Sequence, residues 1–499
     1  MSRPRSDSES SLFKHPESRG HFTVVVFGAS GDLARRKVLP SLFSLYHKGL
    51  LDPLTGLTVI GYGRSDLSTE EFHNSLKHEF QINCKNFEDH HIEAGDCFNL
   101  LERFLDKCVF IKGQYDNKQD FSRLSDYISE VEAEYIDAKV PCSRVFYLSI
   151  PPSIFLPVAE LVHTHCRAVD GRTLLVVEKP FGRDLESAIQ LERALKSMYS
   201  EPELFRIDHF NSNPRFSNVI FEPIWNSHYI ESVEISFLEK AIVSGRGGYY
   251  SQMGVIRDIF QNHLLNVLSF VAMDQPYSLD ADAIRDECVK LLKQIKTLDM
   301  SNIITGQYLG FHDDPTIPPD CKVPTYCAAV LEVNNRRWDG VPFFVRMGKA
   351  LHKNASYIKI RFKEVPGNLF RHKPWQDNSH NRENHLFLSI QPEAGLKLGI
   401  TGKVPGFGTT LNNLNLNMFY HSMGIRTLPD AYESVLLSML SFDQSLFLRH
   451  DQIYESWRII NDVIHQLDNE PQEFNYQIGS EGPLEASDFV GKWDFRWCM

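Results

Sequence analysis

The 499-residue sequence lacks paired cysteines, since its nine cysteines are odd in number and none belongs to a C-x-x-C pair. This pattern argues against a disulfide framework or a zinc site, and it indicates reduced intracellular thiols. Positive charge is also scarce, because 52 Lys and Arg stand against 64 Asp and Glu, a formal net charge of −12. A chain this acidic is not expected to bind nucleic acid or an anionic membrane.

Long apolar segments are absent as well. The longest nearly apolar stretch, "LLNVLSFVAM" at 264–273, is too short to span a bilayer. Residues 1–20 lack the apolar core of a signal peptide, and their Asp and Glu count against a transit peptide. We therefore expect a disordered polar tail over 1–20 and a cytoplasmic protein that makes no membrane contact.

The first half of the chain is rich in short, unbroken apolar runs with many β-branched residues. These runs lie at 22–27, 57–63, 108–113, 144–150 and 173–179, with amphipathic stretches between them. Strands buried on both faces have this composition, and their alternation with helices indicates a parallel sheet. We predict an α/β, Rossmann-like doubly wound domain over 21–205.

After Arg206 the apolar residues alternate with polar ones. The stretches 230–240 and 357–365 show this period, and the stretches 328–334, 385–392 and 395–402 are similar. Long alternating strands predict an antiparallel sheet with one face exposed to solvent or used for association. We predict an α+β domain over 206–499 with a large, mainly antiparallel sheet, and the apolar helix near 256–270 packed on its other face.

A glycine-rich turn, "GASGDLARRK" at 28–37, joins the first predicted strand to a helix. Gly28 and Gly31 would let the backbone approach a pyrophosphate, although an ordinary structural turn has the same composition. The second strand ends in Arg64, where an acidic residue would hold the ribose of NAD. A guanidinium there suits the 2′-phosphate of NADP, so NADP is the favoured cofactor.

Eight motifs occur in an order that resembles the glucose-6-phosphate dehydrogenase family, from about residue 22 to the C-terminus. They are "GASGDLA", "EKPFGRD", "RIDH", "FEPIWN", "GRGGYY", "IRDIFQNHLL", "RWDGVPF" and "GPLEA". The resemblance implies NADP-dependent oxidation of glucose 6-phosphate to 6-phosphoglucono-1,5-lactone, the first step of the oxidative pentose phosphate pathway. It also implies association through the large sheet, as a homodimer or homotetramer.

The same resemblance assigns roles to individual residues. His263 matches the general base, and Asp208 matches the carboxylate that orients it; imidazole suits this task near neutral pH. The residues matching substrate ligands are Lys179, His209, Glu239, Asp258 and Lys349. The residues matching cofactor ligands are Gly28, Ala29, Ser30, Gly31, Asp32, Leu33, Arg35, Arg64, Tyr147 and Lys179. No metal is implied.

The chain departs from the family after "RIDH". The tyrosine position there is Phe210, the phosphate-binding lysine has no counterpart, and about two helical turns are missing before Arg215. A second basic position is occupied by Asn354. Losing two or three charge-assisted bonds to phosphate would weaken substrate binding by about 10²–10⁴-fold, unless a residue such as Arg215 replaces them.

Alternatives therefore stay open beside a working dehydrogenase. The chain could be a catalytically impaired paralogue that binds NADP and pairs with an active subunit in a hetero-oligomer. It could instead oxidise an unphosphorylated aldose, which needs no phosphate ligands. The gap could also come from a mis-joined coding segment.

Some family members carry a second, structural NADP in the second domain. Lys359 and Lys403 fall near positions that would support it. Ser389 and Ala355 stand where basic residues usually help, so we do not expect this site. Trp493 and Trp497 could stack on a nucleotide, but packing in a core or interface is the simpler interpretation.

Overall fold

The computed structural model describes residues 20–51, 56–87, 94–208, 220–245, 247–367, 383–420, 430–472 and 474–498. The predicted tail lies outside these ranges except for Gly20. Within the same ranges, no helix combines the length and the apolar composition needed to cross a membrane.

Six described strands of the first half of the chain and one later strand form a seven-stranded sheet in the order β15-β6-β5-β4-β1-β2-β3. The strands are β1 (His21–Phe27), β2 (Gly56–Gly63), β3 (Cys108–Lys112), β4 (Cys142–Leu148), β5 (Thr173–Val177), β6 (Leu204–Ile207) and β15 (Phe447–Leu448). All neighbouring pairs are parallel except β15 with β6. The predicted doubly wound parallel sheet is confirmed.

Helices cover both faces of this sheet, because side chains along each strand alternate between them. Val24 and Val26 of β1 belong to one apolar core, and Val25 and Phe27 belong to the other. The helices of the first core are α1 (Leu39–His47), α2 (Thr69–Phe87), α3 (Ala94–Leu105) and α10 (Ala431–Leu440). The helices of the second are α4 (Lys118–Asp137), α5 (Phe155–His165) and α6 (Leu185–Met198).

The second half contains a nine-stranded sheet among the described residues, in the order β14-β13-β12-β11-β7-β10-β9-β8-β16. The strands are β7 (Ile230–Leu238), β8 (Ile303–Tyr308), β9 (Tyr326–Glu332), β10 (Pro342–Gly348), β11 (Ala355–Phe362), β12 (His385–Gln391), β13 (Gly395–Lys403), β14 (Leu411–Phe419) and β16 (Asn475–Tyr476). The described pairs are antiparallel except β7 with β10 and β8 with β16. The prediction of a large, mainly antiparallel sheet is confirmed.

The remaining helices accompany this second sheet. They are α7 (Gly247–Val255), α8 (Leu265–Ala272), α9 (Ala281–Gln294), α11 (His450–Asn469) and α12 (Glu485–Gly491). Residues of α8, α9 and α11 share an apolar core with β7 and β10. The predicted packing of the helical segment near 256–270 against the sheet is therefore confirmed.

The structure changes the predicted domain boundary between residues 205 and 206, because that boundary cuts through β6. Ile207, on the far side of the cut, is buried in the first sheet and pairs with Phe447 of β15. The α10 helix also returns to the first half, where Lys48 Nζ donates to Glu433 at 2.6 Å. Segment 431–448 therefore packs with the nucleotide-binding half, although it lies late in the chain.

Two helical segments have π geometry, in which hydrogen bonds join residues five apart. One, Ala34–Val38, connects the glycine-rich turn to α1, whose second residue is Pro40. The other, Ile256–Leu264, lies between α7 and α8.

Candidate active site

Two pairs of neighbouring parallel strands end at the site. Strands β5 and β6 are neighbours, and they lead into Lys179 and Asp208 respectively. Strands β7 and β10 are also neighbours, and they lead directly into Glu239 and Lys349. Because parallel strands deliver their carboxyl ends to one edge, each pair of charged side chains is brought together by the sheet itself.

The π-helical segment Ile256–Leu264 supplies the other two charged residues, Asp258 and His263. In an α-helix, residues five apart point about 140° away from each other, which would put the two side chains on different sides. In a π-helix, hydrogen bonds join residues five apart, and this brings such residues toward the same side of the helix. Both side chains consequently line the same pocket.

His263 and Asp208 form a buried pair with exposed fractions of 5% and 1%. The ring Nδ1 of His263 is hydrogen-bonded to Asp208 Oδ1. Asn266 Nδ2 donates to the other carboxylate oxygen of Asp208 at 3.1 Å, and Asn262 Oδ1 accepts the His263 backbone N–H at 2.6 Å. A histidine held on Nδ1 by a carboxylate can use Nε2 as a general base, since the carboxylate stabilises the imidazolium.

The remaining charged residues form an alternating cluster beside this pair. Lys179 Nζ donates to the backbone oxygen of Asp258 at 2.8 Å and to its Oδ1 at 3.2 Å. Lys349 Nζ donates to Glu239, lies 3.9 Å from Asp258 Oδ2, and sits 5.5 Å from the centre of the Tyr250 ring. Burial opposes ionisation of Asp258, but Lys179, Lys349 and His263 together hold the pKa of its carboxyl below the usual value.

These side chains open onto a pocket of about 630 Å³, large enough for a monosaccharide phosphate. Four of the predicted residues line it together: Lys179, Glu239, Asp258 and His263. Three further polar residues line the pocket: Asn354, Ser356 and Gln391. The sequence marked Asn354 only as the replacement of a basic residue. Ser356 and Gln391, at the start of β11 and the end of β12, belong to no sequence motif and were missed.

Only part of the predicted phosphate-binding region lies among the described residues. His209, Phe210 and Arg215 lie outside the described residues. Asn354, which stands where a basic residue was expected, accepts a hydrogen bond of 2.6 Å from the Lys240 backbone N–H. The described lysines that contact the cluster, Lys179 and Lys349, are both paired with carboxylates.

The glycine-rich turn has the backbone conformation that the sequence suggested. Gly28 has φ +77°, and a Cβ atom there would lie 2.1 Å from the Ser149 backbone oxygen. The Gly31 N–H donates to the Gly28 oxygen at 2.8 Å, which closes the turn. The Ser30 and Ser65 hydroxyls are 2.9 Å apart, so the turn is tied to the end of β2; Ser65 was not predicted.

Among the cationic residues near this turn, Arg64 is exposed, and its guanidinium lies 5.5 Å from the centre of the Tyr115 ring. Asp32 is exposed and pairs with Arg36 at 3.7 Å, whereas Leu33 and Arg35 are half-buried. The exposed arginine at the carboxyl end of β2 fits a phosphate on the ribose of a dinucleotide.

Two predicted cofactor ligands are wholly buried, namely Ala29 and Tyr147. The Tyr147 side chain packs between sheet and helices, and its hydroxyl donates to Glu178 at 2.5 Å. Neither side chain offers surface to a cofactor in this conformation, because Tyr147 lies on a central strand and the Ala29 side chain packs in the same apolar core. This corrects the expectation of side-chain contact for both residues, while the backbone of Ala29 remains part of the turn.

The region of the second, structural nucleotide is occupied by contacts within the chain. Lys359 is paired with Glu383, and Lys403 Nζ donates to the backbone oxygens of Val404 and Gly406. Trp497 is 9% exposed, and the Arg346 guanidinium lies 4.6 Å from its ring centre. Trp493 packs against Phe344 and Phe489, in agreement with the packing interpretation.

Comparisons with known proteins agree with this architecture. The family model "Glucose-6-phosphate dehydrogenase, NAD binding domain" matches residues 25–218, and "Glucose-6-phosphate dehydrogenase, C-terminal domain" matches residues 213–498. Together the two models account for nearly all of the chain.

Individual relatives extend over the same length. The chain is 39% identical to glucose-6-phosphate 1-dehydrogenase 1, chloroplastic, of Arabidopsis thaliana, covering 98% of this chain and 86% of the relative. It is 36% identical to glucose-6-phosphate 1-dehydrogenase 5, cytoplasmic, of the same plant, covering 98% and 94%. A solved glucose-6-phosphate dehydrogenase in complex with glucose 6-phosphate is 33% identical, with a TM-score of 0.86 over 97% of this chain and 100% of that one. The resemblance predicted from the motifs is confirmed: the chain belongs to the glucose-6-phosphate dehydrogenase family.

Proposed function

We propose that this chain oxidises the C1 hydroxyl of glucose 6-phosphate to the 1,5-lactone, with NADP as the hydride acceptor. The observation that carries the proposal is the buried Asp208–His263 pair at the wall of a pocket that also contains Lys179, Glu239 and Asp258. A base, an orienting carboxylate and hydroxyl-binding charges are what removal of a proton from a sugar hydroxyl requires.

Each residue has a physical role in this proposal. His263 Nε2 accepts the proton of the C1 hydroxyl as the hydride departs, and Asp208 stabilises the imidazolium through Nδ1. Asp258 and Glu239 accept hydrogen bonds from sugar hydroxyls. Lys179 and Lys349 hold these two carboxylates in place. Lys179 also lies on the strand-end turn of the nucleotide-binding half, so it would stand between sugar and cofactor.

The nucleotide-binding residues fit NADP. The pyrophosphate would approach the backbone at Gly28, Ser30 and Gly31, where a side chain at Gly28 would clash. Arg64 would receive the 2′-phosphate from its position above Tyr115. When bound, NADP supplies the acceptor for the hydride.

Purified protein tests the proposal by NADP reduction followed at 340 nm, with glucose 6-phosphate and glucose titrated separately. Saturable turnover with glucose 6-phosphate is expected. Turnover with glucose alone would mean that the shortened segment at 209–219 has changed the substrate. NADP binding without turnover on either sugar would instead indicate an impaired subunit that pairs with an active paralogue.

For the partner, we propose that a second copy of the chain covers the outer face of β13 and β14. Leu414, Leu416 and Met418 point to one face of the edge strand and are 48%, 61% and 44% exposed. Ile400 of β13, 40% exposed, pairs with Leu414 and extends the same apolar face. A contiguous apolar sheet face of this kind is usually covered by a partner. The mass of the protein in solution, measured by light scattering, distinguishes a dimer from a tetramer made of two such dimers.

We also propose a cytoplasmic location. The curated relatives include proteins named cytoplasmic, at 36% and 38% identity, as well as proteins named chloroplastic. A fluorescent fusion at the C-terminus tests the proposal, and signal confined to an organelle would contradict it.

A further inference from the structure

Two contacts join the π-helical segment of the active site to the loop after β5, residues 178–184. One is the contact of Lys179 Nζ with Asp258. The other lies one residue away on the helical segment, where Arg257 Nε donates to the backbone oxygen of Arg183 at 2.8 Å. The loop lies in the nucleotide-binding half and the helical segment in the second half, so both contacts connect the two halves.

The guanidinium of Arg257 is also held at its far end. Arg257 is 6% exposed, and its two terminal nitrogens donate to the two carboxylate oxygens of Asp468, on α11, at 3.2 and 2.5 Å. A planar guanidinium can bond a carbonyl through Nε and a carboxylate through both Nη atoms at once. Arg257 therefore fixes the loop, the helical segment and α11 in one arrangement.

Helix α11 makes two further hydrogen bonds in this region. Trp457 Nε1 donates to the backbone oxygen of Phe181 at 2.9 Å, and Asn461 Oδ1 accepts the backbone N–H of Leu185 at 3.1 Å. These bonds hold the loop and the start of α6 on α11, and Arg257 adds the connection to the helical segment.

Arg257 lies outside the proposed substrate pocket. With Asp468 it lines a cavity of about 380 Å³, and among the described residues this cavity shares no lining residue with the active-site pocket. Asp258, the next residue along the chain, lines that pocket together with Lys179. Any effect of Arg257 on the sugar is therefore transmitted through these two neighbours.

We propose that Arg257 is a positioning residue that sets the distance between the loop of Lys179 and the helical segment of Asp258. The lysine side chain is flexible, so its own contact with Asp258 can persist over a range of loop positions. The short bond from Arg257 to the loop backbone narrows that range, and it thereby places the ammonium and the carboxylate that would hold the sugar. The inference rests on the proposed function, since it concerns the placement of the proposed substrate ligands.

Arg257→Lys tests the proposal, because an ammonium keeps the charge but cannot bond the Arg183 carbonyl and both Asp468 oxygens in the same geometry. We expect kcat/KM for glucose 6-phosphate to fall about tenfold to a hundredfold, while the Kd for NADP stays within about twofold, since a misplacement of about 1 Å near reacting groups has costs of this size. An unchanged kcat/KM in the folded variant would overturn the proposal.

The matched control is Arg458→Lys. The Arg458 guanidinium also joins α11 to another segment, because it donates to the backbone oxygens of Leu292 and Ile295 at 2.8 and 2.9 Å. That segment carries none of the proposed substrate ligands, so this variant should lose stability in urea and keep the kcat/KM of the unmodified protein. Equal falls of kcat/KM in the two variants would mean that Arg257 is merely structural.

A double variant tests the route of the effect. In Lys179→Met the contact that Arg257 positions is already lost, so adding Arg257→Lys should lower kcat/KM by less than about twofold more. A further full tenfold loss would show that Arg257 acts by another route, and the proposal would fail.

A second substitution keeps the test decisive if Arg257→Lys does not fold. The Asp468 side chain is 44% exposed, so Asp468→Asn should fold, and it loses the ionic partner while Arg257 Nε keeps its carbonyl. We expect a smaller fall of kcat/KM in the same direction. A folded Asp468→Asn with the kcat/KM of the unmodified protein would contradict the proposed clamp.

Hydrogen exchange without substrate separates this inference from the proposed function. Two amides here are bonded in the unmodified protein, since the Arg183 N–H donates to Ser187 Oγ at 2.9 Å and the Leu185 N–H donates to Asn461. Faster exchange over 181–187 in Arg257→Lys, but not in Arg458→Lys, supports the positioning role even if glucose 6-phosphate gives no turnover. Equal exchange in the two variants counts against it even if the enzyme is active.

Discussion

At the scale of single residues, the His263 side chain has the clearest expected effect. His263→Asn keeps a polar side chain of similar size but has no group that accepts a proton near neutral pH. We expect kcat with glucose 6-phosphate to fall by about 10²–10⁴-fold, while the Kd for NADP stays within about twofold. Steady-state rates at 340 nm and fluorescence titration of NADP measure the two quantities.

A matched control for this variant is His228→Asn. His228 is exposed, and it lies just before β7, at the opposite end of that strand from Glu239 of the pocket. Its kcat should equal that of the unmodified protein. A fall in kcat common to both variants, or none in His263→Asn, would remove His263 from the role of base.

Tyr250 makes a prediction about stability. Its hydroxyl is buried, and it has no hydrogen-bond partner among the described residues. An unsatisfied buried hydroxyl costs about 1–3 kcal/mol, so Tyr250→Phe should raise the free energy of unfolding by about 1 kcal/mol. Urea denaturation followed by fluorescence gives this value.

The comparison is Tyr476→Phe, because the Tyr476 hydroxyl donates to the Lys349 backbone oxygen at 2.8 Å and lies 2.8 Å from the Thr325 hydroxyl. Removing this bonded hydroxyl should lower stability by about 1 kcal/mol. If Tyr250→Phe destabilised the protein as much as Tyr476→Phe does, the Tyr250 hydroxyl would not be an unsatisfied hydrogen-bonding group.

At the scale of elements, the turn between β1 and α1 depends on a glycine. Gly28→Ala would place a Cβ atom 2.1 Å from the Ser149 oxygen, at a φ of +77° that L residues rarely adopt. We expect at least a tenfold loss of NADP affinity and a lower melting temperature. Gly491→Ala is the control, because nothing lies within 4 Å of its added Cβ. Equal NADP affinity in the two variants would contradict this account of the turn.

A buried ionic network joins β6 to the helices α6 and α11. Arg206 is fully buried and donates to Glu192 at 2.7 Å and to Glu201 at 2.8 Å, while His450 Nδ1 lies 3.5 Å from Glu201. Burial alone would raise the pKa of Glu201, but His450 and Arg206 outweigh it and lower this pKa to about 2. The folded state therefore favours the ionised carboxylate.

This network predicts acid sensitivity. Because the folded pKa is lowered, the stabilisation by Glu201 is complete above the unfolded value of 4.5 and is lost as pH falls toward about 2. The loss should reach up to about 3 kcal/mol. Urea denaturation of Glu201→Gln should show lower stability at pH 6 and a weaker dependence on pH between 5 and 3. An unchanged pH dependence would exclude Glu201 as a source of acid sensitivity.

At the scale of the whole molecule, the apolar face of β13 and β14 predicts association. Leu416→Asp places a charge in the middle of that face and should convert the proposed dimer to a monomer in sedimentation or light scattering. Asn415→Asp is the matched control, since it adds the same charge on the opposite face of the same strand. Dissociation by both variants, or by neither, would argue against this face as the interface.

The sequence predicted many strands of both sheets because their composition is distinctive. The runs that became β1 and β4 consist mainly of apolar residues, and both strands are buried along their whole length. Strand β14 was not predicted, although the apolar residues of "LNNLNLNMF" alternate with asparagine, because asparagine is uncommon in strands. Its extended form follows from pairing with β13, a contact that local composition does not contain.

The sequence by itself determined the chemical inventory: the glycine turn, Arg64, and the set of Lys179, Asp208, Glu239, Asp258, His263 and Lys349. Short motifs hold these residues because their chemistry depends on residue type. Only the tertiary structure decided which of them meet. The π-helical segment placed Asp258 and His263 at one pocket, and the neighbouring ends of β5 and β6 delivered Lys179 and Asp208 to one edge of the sheet. Helical register and the choice of neighbouring strands arise from packing between distant segments, so they cannot be predicted from local composition.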